Sequence, residues 1–283
     1  MIKFSKVSFR YASSKPYVLE DINMSLESNH IYGLLGKNGV GKSTIFRMIS
    51  GLNPVTQGEV LTHGCVPFER KPSMLQDIFL LPEEMEFPAI TPLQYAKLYG
   101  SFYPNFLETE MLEHLKQFDI DANQKLTSMS YGQRKKSYIA FALACHTRVL
   151  LMDEPTNGLD IPSKTIFRKM LAACTKDDRL NRIIIISTHQ VRDLERLIDA
   201  VIIVEDRHIA LCETADTLLK AFHFGSFEEG AQVVYRDETE RGLIGLTMRG
   251  DAPIQGIEDL DLEILFNAVS VCGEAVQNRL LGC

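Results

Sequence analysis

The sequence predicts an α/β fold in which buried parallel strands and helices surround a glycine-rich loop. An antiparallel β-segment leads into it, a helical insertion interrupts it, and a small α+β appendage follows. Three observations carry this expectation. Gly36-Lys37-Asn38-Gly39-Val40-Gly41-Lys42-Ser43 sets two glycines four residues apart and follows them with Lys-Ser. The short apolar runs around Ile78–Leu81, Val149–Met152, Ile183–Ile186 and Val201–Val204 are continuous, as strands covered on both faces are. Immediately after the glycine-rich loop, Ile45, Met48, Ile49 and Leu52 fall at i, i+3, i+4 and i+7, one face of a helix.

Composition narrows the class. With 283 residues and 45% apolar side chains the chain can bury one large domain, or one domain and an appendage. A net charge of −7 gives no basic footprint for nucleic acid. The six cysteines are scattered without a C-x-x-C pair, so they read as small buried hydrophobes of a reducing compartment. Neither they nor the seven histidines show metal-ligand spacing. The start Met1-Ile2-Lys3-Phe4-Ser5-Lys6-Val7 lacks the apolar stretch of a signal peptide, and no run approaches the roughly 18 apolar residues of a membrane span.

Along the chain, residues 2–11 alternate loosely and read as an edge strand, and Val18–Leu26 as its hairpin partner. Tyr11 stands about 25 residues before the glycine-rich loop; its ring could stack on a base or lie in the core. His30–Leu35 is a buried strand leading into the loop. There the glycines let successive N–H groups turn inward around phosphate oxygens. Lys42 supplies positive charge for the β- and γ-phosphates, Ser43 a hydroxyl for Mg²⁺, and the helix after them a positive dipole end, with Gly51 as its expected C-cap. Together these bind a nucleoside triphosphate. Residues 56–60 read as turn and strand.

Asp77–Pro82 is a strand with Glu83 at its C-terminal end, where open α/β sheets carry functional groups. Residues 88–128 change character, with prolines punctuating helical patterns at 93–102 and 106–118 that are rich in Tyr and Phe. Ser130 and Gln133 have capping-box spacing, and Arg134, Lys135 and Lys136 follow in the first turn. Cations there oppose the helix dipole and suit a helix start that faces an anion; Lys135 or Lys136 individually also reads as a solvated face. The Val149–Met152 strand delivers Asp153 and Glu154 at its tip, the first suited to Mg²⁺ and the second to orienting the attacking water. Asn157-Gly158-Leu159-Asp160 is a turn before another helix. The Ile183–Ile186 strand ends in Ser187-Thr188-His189, where the histidine is either a γ-phosphate contact or structural. A strand at 201–204 and a short helix at 215–222 complete the main unit. Beyond residue 222, glycines interrupt runs such as 233–235 and 243–246, with one helix expected over roughly 257–268.

Taken together, these residues resemble the ATP-binding-cassette ATPases, in particular the nucleotide-binding subunits of ABC transporters. Gly36–Thr44 resembles the Walker A motif, and Met129-Ser130-Tyr131-Gly132-Gln133 the signature Leu-Ser-Gly-Gly-Gln, with Met and Tyr as departures. Leu150–Thr156 resembles Walker B with its adjoining glutamate, Asn157–Asp160 the D-loop, and Thr188-His189 the switch histidine. Tyr11 falls where the family keeps its adenine-stacking aromatic. Where the family usually has glutamine this chain has Glu83, as exporter-type subunits also do; Gln76 precedes the strand and is not its equivalent.

The resemblance covers about residues 1–220 and implies a P-loop NTPase (RecA-like) core. It implies an inserted helical subdomain at about 84–130 and leaves 221–283 as the appendage. It implies ATP and Mg²⁺ as cofactors. Tyr11, Gly36, Asn38, Gly39, Gly41, Lys42, Ser43 and Thr44 then hold the nucleotide, and Ser43, Asp153 and Glu83 the metal. Glu154 acts as base, with Lys42 and His189 on the γ-phosphate. Ser130, Gly132, Gln133 and Asp160 complete the site of a second, head-to-tail cassette, most simply a copy of this chain. The implied partner is a separate transmembrane permease, reached from the cytoplasmic face, with export favoured by Glu83 and the appended tail. The competing function is a soluble cassette ATPase acting on ribosomes, DNA or cluster assembly. Such relatives usually carry two cassettes in one chain or a long coiled coil, and neither pattern occurs here.

Overall fold

A computed structural model describes residues 1–174, 181–189, 197–227, 232–239, 242–249, 255–257 and 259–281. Strands β1 (Ile2–Phe9) and β2 (Leu19–Leu26) lead into β3 (His30–Leu35), and α1 (Lys42–Ile49) follows the glycine-rich loop. Then come β4 (Gln57–Thr62), the single turn α2 (Pro72–Leu75) and β5 (Ile78–Leu81). Helices α3 (Pro92–Tyr99) and α4 (Glu108–Gln117) precede α5 (Tyr131–Ala144), β6 (Val149–Asp153), α6 (Ile161–Cys174) and β7 (Ile183–Ser187). The chain continues through β8 (Ala200–Glu205), β9 (His208–Thr214), α7 (Ala215–Ala221) and β10 (Phe222–Ser226). It ends in β11 (Tyr235–Thr239), β12 (Gly242–Met248), β13 (Gln255–Ile257) and α8 (Leu262–Leu281).

The central sheet has the order β5-β6-β7-β3-β8-β9, parallel except for the antiparallel β9. Its parallel strands are largely apolar because each face packs on a core, and the two-residue side-chain period sorts residues between them. Leu150, Met152, Ile184, Ile186, Val201 and Ile203 face the core shared with the insertion helices, α5–α8 and the appendage. Val149, Leu151, Ile183, Ile185, Ala200 and Ile202 face the other, shared with α1 and the N-terminal sheet. Parallel pairing brings the C-terminal tips of β5, β6, β7 and β3 to one edge, with Asp153 opposite Ser187 in register.

Several expectations are corrected. β1 is the middle strand of β2-β1-β4, because β4 covers the edge that a reading of residues 2–11 alone leaves open; it also stops at Phe9, leaving Tyr11 in the turn. Helix α1 is capped at Ser50, with Gly51 one position later at φ 71. The appendage is a four-stranded antiparallel sheet, β11-β12-β10-β13, with α8 packed on β12, β11 and β9. The helix expected at 257–268 begins at Leu262, and after a kink at Cys272 (φ −139) a second helical segment runs to Leu281, since the apolar face continues through Val269 and Val276 against the core. β9 and β10 are additional strands: both are partly polar, and sheet pairing rather than local pattern defines them. The expected capping box is present, with Ser130 Oγ accepting from Gln133 N–H and Gln133 Oε1 from Ser130 N–H.

The described cysteines 65, 145, 174, 212 and 272 are free thiols, and burial pushes those of Cys145 and Cys174 well above the usual range. His63 follows β4 with φ 48 and a buried Nε2 that has no hydrogen-bond partner among the described residues. Burial first, then Arg148 and the amino terminus, lower its pKa from 6.5 to about 4. The unfolded chain therefore takes up this proton at a higher pH than the folded one. Stability falls as the pH drops from 6.5 towards about 4. His63→Asn, which suits the left-handed backbone, is expected to flatten a plot of Tm against pH there. The gain at pH 4.5 is at most about 1 kcal/mol once solvent screening of this half-buried group is allowed for.

Candidate functional site

The loop after β3 turns sharply enough that Gly39 and Gly41 sit at φ 79 and 113, and a Cβ on Gly41 would lie 2.9 Å from Leu19 Cδ2. Gly41 is also the N-cap of α1 and supplies no side-chain cap, so the first-turn N–H groups remain directed towards the loop. Lys42 is buried and folds back over the loop, Nζ donating to Gly36 O (2.6 Å) and Lys37 O (3.1 Å). Burial lowers its pKa, while Glu154, Asp153 and Glu83 act against that shift. An ammonium so held is prepared to exchange backbone carbonyls for phosphate oxygens.

Opposite the loop, the tip of β6 carries Asp153 and Glu154, both buried. Ser43 Oγ donates to Asp153 Oδ2 at 2.6 Å, and Ser187 Oγ to Asp153 Oδ1. A hydroxyl and a carboxylate converging from α1 and β6 are a donor set suited to a hard divalent cation that fills its remaining positions with phosphate and water. Among the described residues there is no cluster of three or more His, Cys, Asp or Glu side chains able to hold a metal by themselves. Glu154 adopts φ 47, a left-handed conformation unusual for a residue with a Cβ. His189 Nδ1 lies 2.9 Å from Glu154 Oε1, an ion-pair distance without hydrogen-bond alignment, so among the described residues neither carboxylate oxygen has a well-directed donor.

A cleft of about 430 Å³ joins these groups, lined by Tyr11, Asn38, Gly39, Gly41, Lys42, Ser43, Thr44, Glu83, Asp153, Glu154 and His189. Tyr11 is 58% exposed at its mouth, with Oη 3.0 Å from Thr44 Oγ1 and its ring edge-on to Phe9. That exposure sets aside the core alternative. Ser130, Gly132, Gln133 and Asp160 do not line this cleft. Asp160 caps α6 through Ser163 N–H at 2.8 Å and lies 3.6 Å from Lys136 Nζ.

The family model described as ABC transporter matches residues 19–157. The chain is 31% identical over 211 residues to the bacitracin transport ATP-binding protein BcrA of Bacillus licheniformis, covering 73% of this chain and 67% of that one. The chain belongs to the ABC transporter ATP-binding proteins. As such a cassette it is an ATP-binding, ATP-hydrolysing subunit. The ABC transporter ATP-binding protein NatA of Bacillus subtilis is 28% identical over 252 residues, 86% of this chain and all of that one. A structure solved as a dimeric post-hydrolysis state of the ATP-binding cassette MJ0796 with ADP and Pi superimposes with a TM-score of 0.66. It shares 23% identity and covers 76% of this chain and 98% of that one, showing the same fold.

Two parts of the cassette escaped the sequence reading. Lys135 is buried rather than solvated, with Nζ donating to Glu154 O. The signal was available, since Lys135, Ile139 and Leu143 share one helical stripe and the latter two are core residues. Tyr131, which replaces a signature glycine, donates from Oη to Glu83 O (2.9 Å) and lays its ring on Gly158. No local pattern announces that contact, because it spans 48 residues.

Proposed function

We propose that this cassette powers a separate transmembrane subunit by closing, ATP-bound, on a second copy of itself. The observation that supports it best is the division of the motifs. Apart from Gly36, the residues that would hold and attack the phosphates line one cleft, whereas Ser130 and Gly132 open α5 outside that cleft, exposed and half-buried respectively. A head-to-tail pair would set each Ser130 and its helix dipole over the other copy's γ-phosphate. Glu154 would take a proton from water as its oxygen attacks the γ-phosphorus. The bond to the β-phosphate would break, and ADP would leave with the electron pair. Lys42 and His189 would stabilise charge on the transferring group. Ser43, Asp153 and Glu83 would hold Mg²⁺, which neutralises the β- and γ-oxygens when bound.

Among the described residues no helix is long and apolar enough to cross a membrane, and the proposed partner is a separate spanning subunit. An aromatic groove of about 490 Å³ beside α3 is the proposed dock, lined by Leu75, Phe79, Tyr95, Tyr99, Phe102 and Phe141. Phe102 is 65% exposed there, a large apolar side chain suited to covering by a partner. Residues 84–130 are proposed as the helical subdomain that carries this dock, and 221–283 as an appendage to a nucleotide domain spanning 1–220. The proposed position is peripheral, on the cytoplasmic face of the membrane. Export is the proposed direction, supported by Glu83 in place of glutamine and by the appended tail. Phe102→Glu is expected to leave ATP binding within about twofold while lowering co-purification with a polytopic membrane protein about tenfold or more. Unchanged co-purification would move the dock elsewhere.

A further inference from the structure

Lys135 carries a charge that ATP hydrolysis as derived above does not use. It is 0% exposed, on the apolar stripe of α5, where an aliphatic residue would pack without desolvating an ammonium. Burial lowers its pKa, and the three acidic groups Glu83, Glu154 and Asp153 counter that. Its Nζ donates to the main-chain oxygen of Glu154. On the other side of the same Cα, Glu154 N–H donates to Ser187 O (3.1 Å) and Ser187 Oγ (3.2 Å). Both polar groups flanking the Glu154 Cα are thus tied down, the N–H to β7 and the carbonyl both to α5 and to Asn157 N–H of the following turn (3.2 Å), at a residue held in the left-handed region. Among the described residues its carboxylate has His189 Nδ1 at 2.9 Å but no aligned donor, so the backbone has a large part in where it points.

We propose that Lys135 is a positioning residue for Glu154. It fixes the peptide from which the base projects and ties that base to the helix opened by Ser130. This rests on the reading of Glu154 as base. The tie has a consequence in the closed pair. Helix α5 presents Ser130 to the partner copy's nucleotide and, five residues on, touches the base of its own site. Tyr131 and Asn157 brace the same junction through Glu83, at 2.9 Å to its carbonyl and 3.4 Å to its carboxylate. A movement at the start of α5 therefore reaches the base directly.

The test measures kcat, KM for ATP and ATP affinity at equilibrium for Lys135→Met and Lys135→Arg, each alone and combined with Glu154→Gln. Lys135→Met is expected to lower kcat about 10- to 100-fold, with KM and ATP affinity within about twofold. Lys135→Arg, which keeps charge and donor, should recover kcat to within about fivefold of the parent. In the Glu154→Gln background Lys135→Met should cost nothing further, because a residue acting through Glu154 has nothing left to position. Apolar replacement of a buried charge usually preserves folding; should the Met variant be unstable, Lys135→Leu is read by the same criteria. Parent kcat in the apolar variant overturns the proposal, and so does an equal loss of kcat with and without Glu154. If Glu154→Gln itself runs at the parent rate, the base assignment fails first. If Glu154→Gln is inactive and Lys135→Met is not, only the positioning role falls.

Discussion

Glu154→Gln lowers kcat for ATP hydrolysis by about 10²- to 10⁴-fold, the contribution of a well-placed general base, which is roughly 3–5 kcal/mol in the barrier. The substitution keeps the side chain's volume and removes only its capacity to accept a proton, so the buried site need not repack. ATP affinity is expected to stay within about threefold, because the proposed role of Glu154 is towards the attacking water rather than the nucleotide. The left-handed backbone at φ 47 should also survive, since it is held by Ser187 and Lys135 through main-chain atoms. Steady-state phosphate release beside an equilibrium ATP titration separates the two effects. A Gln variant turning over at the parent rate would remove the base from residue 154.

Lys42→Ala is expected to act on the other axis. Nζ contacts Gly36 O at 2.6 Å and Lys37 O at 3.1 Å, so its loss removes both the loop's internal brace and the cation meant for phosphate. A hydrogen bond to a charged group is worth about 1.5–3 kcal/mol, which predicts a 10- to 150-fold rise in the dissociation constant for ATP. Lys42→Arg should recover little of it, because a planar guanidinium cannot fit where a compact ammonium nestles between two carbonyls. Unchanged ATP titration of the Ala variant would contradict the placement of the phosphates.

Much of this was legible in the sequence because the site is built from strand tips. A buried parallel strand is an apolar run, and whatever polar residue ends it stands at the functional edge; Asp153, Glu154 and His189 announce themselves that way. The glycine-rich loop is legible for a related reason, since close approach to phosphate requires glycine. What local pattern could not show depends on pairing across the fold. Strand β1 looks like an edge until β4 is placed beside it. Helix α8 outruns its expected end because core contacts, not a capping signal, determine its length. Lys135 and Tyr131 looked like ordinary surface and motif residues, yet their partners, Glu154 and Glu83, lie 19 and 48 positions away. Gly230, Gly250 and Cys283, which the sequence reading also names, fall outside the described residues.

The central claim is that one chain holds only half of each hydrolytic site. It is tested most directly by the solution mass of the Glu154→Gln chain with and without ATP. The account predicts 31.9 kDa without nucleotide and twice that with ATP, and reversion to the smaller mass when Ser130→Arg is added. A chain that binds ATP stoichiometrically and keeps one mass throughout would contradict it.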